Sequence, residues 1–474
     1  MNTHVVIGLE MHCEMKSHSK VFCPSLNAYS TMANTNISEV CLGLPGVMPQ
    51  VNMECVKKAI KAALILNCKI PDVLMFDRKN YYYPDLPRGF QLTQGTKPIG
   101  TKGYIDIEVG DTIKRVDISD IHLEDDAASL DHLDTMSLID YNRCGVPLLE
   151  CVTEPCFRSA DEAVAFIDTM CKIYQYTDIS DADTRKGQIR CDVNVSLQDE
   201  FGKQVTPKVE VKNVNSISNV KDTIIYEEKR QKEILASGDT STLEQETRRF
   251  DEATGTTIHM RSKVDAIDYK YFVEPNILPF RISNDLIESV RVDIPMLAFE
   301  RKRMYIDKYG LDEESARVIV KDINMANYYE KCVNIGIDSK VASNWLTGMI
   351  TAYINSEDIS INDFYLIPEY LKQIVDAQKD GSISSKLAKE IFNSSLNDKK
   401  EPKNYISSDN KQVSDETYLV EIIDTILANN VSQIDAYHNG KTNMFDFFVG
   451  QVMKETKGKA NPVITKDLLH KKLD

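Results

Sequence analysis

The chain has 474 residues, 42% of them hydrophobic and 27% charged, and a formal net charge of −16. That length exceeds one compact core, so two or three domains are expected, with the apolar share of an ordinary soluble protein. The acidity argues against a protein that coats nucleic acid through its global charge, though not against one with a local basic patch. The opening residues Met1-Asn2-Thr3-His4-Val5-Val6 carry no basic leader, and no stretch reaches the roughly 18 apolar residues of a membrane span. Eleven cysteines, an odd number with no CxxC, suit free thiols in a reducing cytoplasm.

The first informative segment is Leu9-Glu10-Met11-His12-Cys13-Glu14-Met15. On a strand, Glu10, His12 and Glu14 share one side and Leu9, Met11, Cys13 and Met15 the other. Residues 56–66 then place Val56, Ile60, Ala63 and Leu64 at helical spacing, with Lys57, Lys58 and Lys61 facing away. The run Tyr81-Tyr82-Tyr83 offers aromatic faces either for an unpaired base or for packing a sheet edge or an interface with another protein. At residues 95–102 a near-miss to a phosphate-binding loop has its Lys and Thr in the wrong order and is set aside.

Alternation returns in Asp120-Ile121-His122-Leu123-Glu124-Asp125-Asp126, where His122 and Glu124 oppose Ile121 and Leu123. Residues 160–174 repeat the helical spacing with Val164, Ile167, Cys171 and Tyr174, and both helices read as packing elements. Over residues 189–197, Ile189, Cys191, Val193, Val195 and Leu197 form an apolar face, and Arg190, Asp192, Asn194 and Ser196 a polar one. Beyond the turn at Asp199-Glu200-Phe201-Gly202, Lys208, Glu210 and Lys212 oppose Val209 and Val211. If these two strands form a hairpin, Asp192 and Glu210 share a face.

One such strand has a bland explanation, a solvated outer face. Four strands with acidic faces, two carrying Glu-x-His or His-x-Glu, ask for a cation, because crowded carboxylates repel. Oxygen-rich sets select hard divalent ions, and magnesium with nucleotide phosphates fits phosphoryl transfer. Glu10, Glu124, Lys79 and Arg190 are the candidate catalytic groups, and Lys79, Arg190 and Lys212 the candidate phosphate partners; each cation could instead be a surface ion pair.

After Pro295 the pattern turns helical, with candidates at 296–308, 314–324, 339–354 and 418–429. The polar stretch 397–412 reads as a linker. The last two dozen residues gather lysines, of which Lys454, Lys457 and Lys459 are the RNA-binding candidates, with a solvated basic tail as the alternative. The expectation is an α+β fold: an antiparallel-sheet catalytic domain (1–293), a helical domain (294–408) and a small helical tail (409–474). No GxSxG, HExxH or GxGxxG is present, and nothing in the chain releases ammonia from an amide donor.

Several longer motifs run nearly the whole length of the chain. They include Ile7-Gly8-Leu9-Glu10-Met11-His12, Cys41-Leu42-Gly43-Leu44-Pro45-Gly46 and Arg78-Lys79-Asn80-Tyr81-Tyr82-Tyr83-Pro84-Asp85-Leu86-Pro87-Arg88-Gly89. The most distinctive is Asp140-Tyr141-Asn142-Arg143-Cys144-Gly145-Val146-Pro147-Leu148-Leu149-Glu150, followed by Arg190-Cys191-Asp192-Val193-Asn194, Glu246-Thr247-Arg248-Arg249 and Thr456-Lys457-Gly458-Lys459-Ala460-Asn461-Pro462. Together these motifs resemble the B subunits (GatB/GatE) of glutamyl/aspartyl-tRNA amidotransferases, and the resemblance implies a catalytic domain similar to glutamine synthetase and the guanidino kinases, with ATP and Mg2+. Its implied metal set is Glu10, His12, Glu124, Glu150, Asp192 and Glu210. It further implies amidation of glutamate on tRNA(Gln) or aspartate on tRNA(Asn). Ammonia would come from a partner amidase, a small third protein would complete a heterotrimer, and the helical parts would grip tRNA.

Many relatives in that family carry a four-cysteine zinc site. At the matching positions this chain has Cys23-Pro24-Ser25 and Ser38-Glu39-Val40-Cys41. Two thiolates do not close a tetrahedral site, so no structural zinc is expected, and Cys23 and Cys41 read as small apolar residues. Two other functions compete: a small-molecule amide ligase of the glutamine synthetase type, which has no need of the helical half, and a non-catalytic tRNA-binding assembly protein.

Overall fold

The period-two segments do form strands. In the computed structural model, which describes residues 2–238, 243–262, 268–406, 416–456 and 460–473, they build an eight-stranded sheet. Its strands in chain order are β1 (Thr3–Glu14), β2 (Gly100–Val109), β3 (Thr112–Asp125), β4 (Pro147–Thr153), β5 (Ile189–Asp199), β6 (Val209–Val214), β7 (Glu246–Asp251) and β8 (Thr256–Ser262). The spatial order is β8-β7-β6-β5-β1-β4-β3-β2, which leaves β1 in the interior of the sheet. All neighbours are antiparallel except β6 and β7, which run parallel.

That parallel pair departs from the all-antiparallel expectation and requires a crossover. The helix Ile217–Ser237 provides it, started by the Ser216 side chain accepting from Asn219 N–H and stopped by Gly238 at φ +77°. The hairpin expected between β5 and β6 forms, with Asn194 opposite Glu210.

One face of the sheet is apolar. Leu9, Met11, Cys13, Ile121, Leu123, Cys151, Cys191, Val193 and Val195 are each at most 2% exposed. They share a core with the helices Met53–Ile65 and Ala160–Tyr176, the two expected from sequence, each capped at its start by Asn52 or Ser159. The segment that follows the first of these helices comes very close to β2. A Cβ on Gly103 would clash with both Cys68 Sγ and Leu66 O. Gly103→Ala is therefore expected to cost about 1–3 kcal/mol by overpacking, read as a lower thermal midpoint.

The chain divides into two compact units, Met1–Leu297 and Ala298–Asp474, against a first boundary expected after residue 293. The second unit is helical. The expected helix at 314–324 is instead two, Glu313–Ile319 and Ile323–Asn334, because Asp322 accepts from the N–H groups of Asn324 and Met325 and starts a new helix. The segment expected at 339–354 is one continuous rod, with a π turn at Leu346–Ile350 between Ser339–Trp345 and Thr351–Glu357. The helix Ser385–Asp398 runs two residues into the expected linker, and Pro402–Tyr405 forms a short 3-10 turn. Residues 407–415, where the second boundary was expected, lie outside the described residues. Glu416–Asn429, Asn443–Glu455 and Pro462–Leu473 enclose a small core of their own around Leu419, Ile423, Phe448, Val452 and Leu469. Among the described residues no helix is long and apolar enough to cross a membrane.

Candidate metal and phosphate site on the sheet

The register of β1 decides what meets on the polar face. Directly opposite strand residues point to the same side. His12 lies opposite Arg190 on β5 and Glu150 on β4, and Glu150 lies opposite His122 on β3, so one rung crosses four strands. Two residues along β1, Glu10 lies opposite Asp192. Asn194 is next on β5, opposite Glu210 on β6, which in turn faces Thr247 on β7.

All six positions of the implied metal set come together this way, in two trios. His12, Glu124 and Glu150 offer ligand atoms within 4.8 Å of one another, and so do Glu10, Asp192 and Glu210. These groups do not form a solvated outer face: Glu124, Asp192 and Glu210 are only 4%, 5% and 6% exposed. Carboxylates packed together out of water are costly unless a cation joins them.

Each trio has its own electrostatics. Burial and the nearby Glu150 carboxylate push the Glu124 carboxyl up. Burial opposes ionisation of Glu150 too, but the His122 and His12 imidazoles hold it below the usual carboxylate range, with His122 Nε2 at 2.9 Å. His122 is itself held protonated, against its burial, by Glu150 and by Asp120, whose Oδ1 is 2.8 Å from Nδ1. His12 Nδ1 is buried, lies 3.6 Å from Glu150 and 3.9 Å from Glu124, and has no hydrogen-bond partner among the described residues. A polar atom left so among two carboxylates fits a ligand position.

In the other trio, burial raises Glu10, as does repulsion from Glu150, Asp192 and Glu210, while Asn194 Nδ2 donates to its Oε1 at 2.9 Å and partly offsets this. Thr247 Oγ1 donates to Glu210 Oε2 at 3.2 Å and fixes that carboxylate. An all-oxygen set of this kind suits a hard divalent ion.

The candidate phosphate partners border the trios. Lys212 Nζ bridges Asp192 at 2.8 Å and Glu210 at 3.0 Å. Arg190 pairs with Asp126 at 2.7 Å, and Arg143 reaches the same oxygen at 3.4 Å. Lys79, on the strand Asp77–Asn80, stays charged against its burial because Glu124 and Glu150 lie nearby, and its Nζ sits 5.1 Å from the Tyr269 ring. Alternation in the sequence did not point to Asp120, Asp126, Arg143 or Thr247 as supports; the signal available was their place within or beside the long motifs.

Of the tyrosine run, Tyr81 packs edge-on against Tyr269, whereas Tyr82 is 98% exposed. Lys454 is exposed on its helix, and Lys457 and Lys459 lie outside the described residues.

Cys23 and Cys41 are not ordinary apolar residues. Their sulfurs are 3.2 Å apart, and Lys20 Nζ donates to Cys41 Sγ at 3.6 Å. The apolar reading overlooked that Lys20, Ser25 and Ser38 all converge on Cys41.

Known proteins match the chain over nearly its whole length. The GatB/GatE catalytic domain matches residues 5–288, and the GatB domain matches residues 327–473. The B subunit of the aspartyl/glutamyl-tRNA(Asn/Gln) amidotransferase of Bacillus licheniformis is 43% identical over 99% of this chain and 98% of its own length. The proteins of the same name from Shouchella clausii and Persephonella marina are 43% and 41% identical, with both chains covered in full. The chain belongs to the GatB/GatE family.

Proposed function

We propose that this chain is the activating and amidating component of a cytoplasmic, ATP- and Mg2+-dependent tRNA amidotransferase. The observation that carries the reading is the pair of largely buried ligand trios on one sheet face, in a chain whose full-length relatives are named as B subunits of an aspartyl/glutamyl-tRNA(Asn/Gln) amidotransferase. The side-chain carboxylate of glutamate on tRNA(Gln), or of aspartate on tRNA(Asn), attacks the γ-phosphoryl of ATP and releases ADP. Ammonia then attacks the acyl phosphate, and phosphate leaves as the amide forms. The first step is needed because a carboxylate oxygen is a poor leaving group until it is phosphorylated.

Glu10, Asp192 and Glu210 would hold one divalent ion, and His12, Glu124 and Glu150 a second. Bound there, Mg2+ supplies charge neutralisation to the phosphoryl oxygens. Lys79, Arg190 and Lys212 orient phosphate oxygens. The chain itself shows no amidase chemistry, so ammonia comes from a partner amidase that hydrolyses glutamine, with a small third protein completing the heterotrimer. The helical unit, including Lys454, holds the tRNA.

The test is to reconstitute the chain with those two partners and follow Gln-tRNA and Asn-tRNA formation separately, with and without magnesium. Amide on at least one tRNA, lost with chelator, is expected; no amide on either would overturn the proposal. A finer test concerns Thr247. Thr247→Val keeps a β-branched side chain and deletes only the hydroxyl that fixes Glu210. Divalent-ion affinity measured by calorimetric titration is expected to fall about 10-fold or more.

A further inference from the structure

Away from the sheet face, four polar groups converge on one sulfur. Cys41 Sγ is approached by Lys20 Nζ at 3.6 Å, Cys23 Sγ at 3.2 Å, Ser38 Oγ at 3.5 Å and Ser25 Oγ at 3.7 Å. A neutral thiol is a weak acceptor and does not gather such a set; a thiolate does. Lys20 supplies the other half of the argument. It is 0% exposed, and its Nζ also donates to the Cys144 carbonyl at 2.7 Å. A buried ammonium requires an anion, and the sulfur of Cys41 lies within reach. The hydrogen bond from Cys23 is the largest cause that holds the Cys41 thiol below its ordinary value, and the charge of Lys20 adds to it, while the same contact pushes the Cys23 thiol up.

We propose that Cys23 and Cys41 are a peroxide-sensitive dithiol, in which Cys41 is the attacking thiolate and Cys23 the resolving thiol. The Cys41 thiolate attacks one oxygen of hydrogen peroxide, the O–O bond breaks, and the departing hydroxide takes a proton from solvent to become water. Cys41 is then a sulfenic acid. The sulfur of Cys23 attacks it, the S–O bond breaks, and the hydroxide released leaves as water with the proton of Cys23. Two electrons pass from the sulfurs to the peroxide, and one disulfide and two waters result.

The oxidant class follows from access. Cys23 and Cys41 are 6% and 3% exposed and line a cavity of about 10 Å³ together with Phe22, Arg88 and Cys144. A pocket this small excludes bulky disulfides and leaves a small oxidant of the hydrogen peroxide class, which reaches the sulfurs as the surrounding loops give way.

The test uses the full chain. It is treated with hydrogen peroxide at neutral pH, and its peptides are mapped without reduction. A Cys23–Cys41 disulfide is expected to form at least about 10-fold faster than Cys55 or Cys171 is oxidised, since burial holds those two thiols protonated. Cys23→Ser is expected to leave a sulfenic acid on Cys41 that dimedone traps when added together with denaturant after the peroxide step, and Lys20→Met to slow the reaction about 10-fold. Should Lys20→Met fail to fold, the unaltered chain in guanidinium serves instead, where the advantage of Cys41 over Cys55 is expected to disappear. Oxidation of Cys41 no faster than of Cys55 in the native chain would overturn the proposal. So would one tightly held zinc ion per isolated chain that protects both thiols from peroxide.

Discussion

Glu10→Gln is expected to abolish tRNA amidation in the reconstituted enzyme without weakening the isolated chain. The glutamine keeps the shape of the side chain and leaves Oε1 to accept from Asn194 Nδ2, as the native carboxylate does at 2.9 Å. It removes one negative charge from a trio in which repulsion already counts. Burial, followed by Glu150, Asp192 and Glu210, raises Glu10 above its ordinary value. The folded chain therefore binds a proton there more tightly than the unfolded chain does. Stability from this group is present at low pH and lost as pH rises through the folded-state value. At pH 7.5 with chelator, the variant should melt at or above the native temperature.

With excess Mg2+ the order should reverse. The native chain gains stability in proportion to ion binding, and the variant, short of one ligand charge, gains little. Several kcal/mol of transition-state stabilisation goes with that ligand, on the order of 10³ in the rate of amide formation. A variant that melts lower in chelator and still amidates tRNA at the native rate would remove Glu10 from the metal site and assign it to packing.

The acidic face was readable in the sequence wherever a strand alternates. β1, β3 and β5 put apolar residues on one side, so Glu10, His12, Glu124 and Asp192 stood out by contrast. Glu150 did not. In Pro147–Thr153 its neighbours Leu148, Leu149 and Cys151 are buried as well, and a strand covered on both faces shows no period of two. The helix Ile217–Ser237 was hidden for a related reason. It buries Val220, Thr223, Ile224, Glu227 and Gln231, a stripe that is more than half polar. Glu227 is satisfied by Arg230 and Thr257, and Gln231 accepts from Thr206 at 2.6 Å. A helix whose buried side is a polar network leaves no apolar periodicity to find; its Ser216 and Gly238 caps were the only local signal. The thiol pair stood out in the sequence but was read as apolar, because its polar surroundings include Lys20, which no periodicity connects to it.

Arg88→Met is the substitution expected to cost the first unit most. The carboxylate of Asp125 is 1% exposed, and Arg88 pairs with one of its oxygens while the other accepts from Leu92 N–H at 2.8 Å. Burial raises Asp125, and the Arg88 guanidinium is the charge that opposes that shift. Methionine fills much of the same space beside Phe90 but supplies no charge. An unpaired buried carboxylate then remains, at a cost of about 3–5 kcal/mol. The damage should be local in its first effects, because Asp125 closes β3 directly after Glu124 and its carbonyl accepts from Gln91 Nε2. Faster hydrogen exchange over residues 118–126, measured by mass spectrometry, is the expected signature. Adding Asp125→Asn should restore most of the protection, since the amide oxygen still accepts from Leu92 and no charge is left unpaired. Exchange unchanged in Arg88→Met, or no recovery in the double variant, would mean that the pair does not hold the end of β3. Glu124 would then depend for its position on the β4 ladder alone.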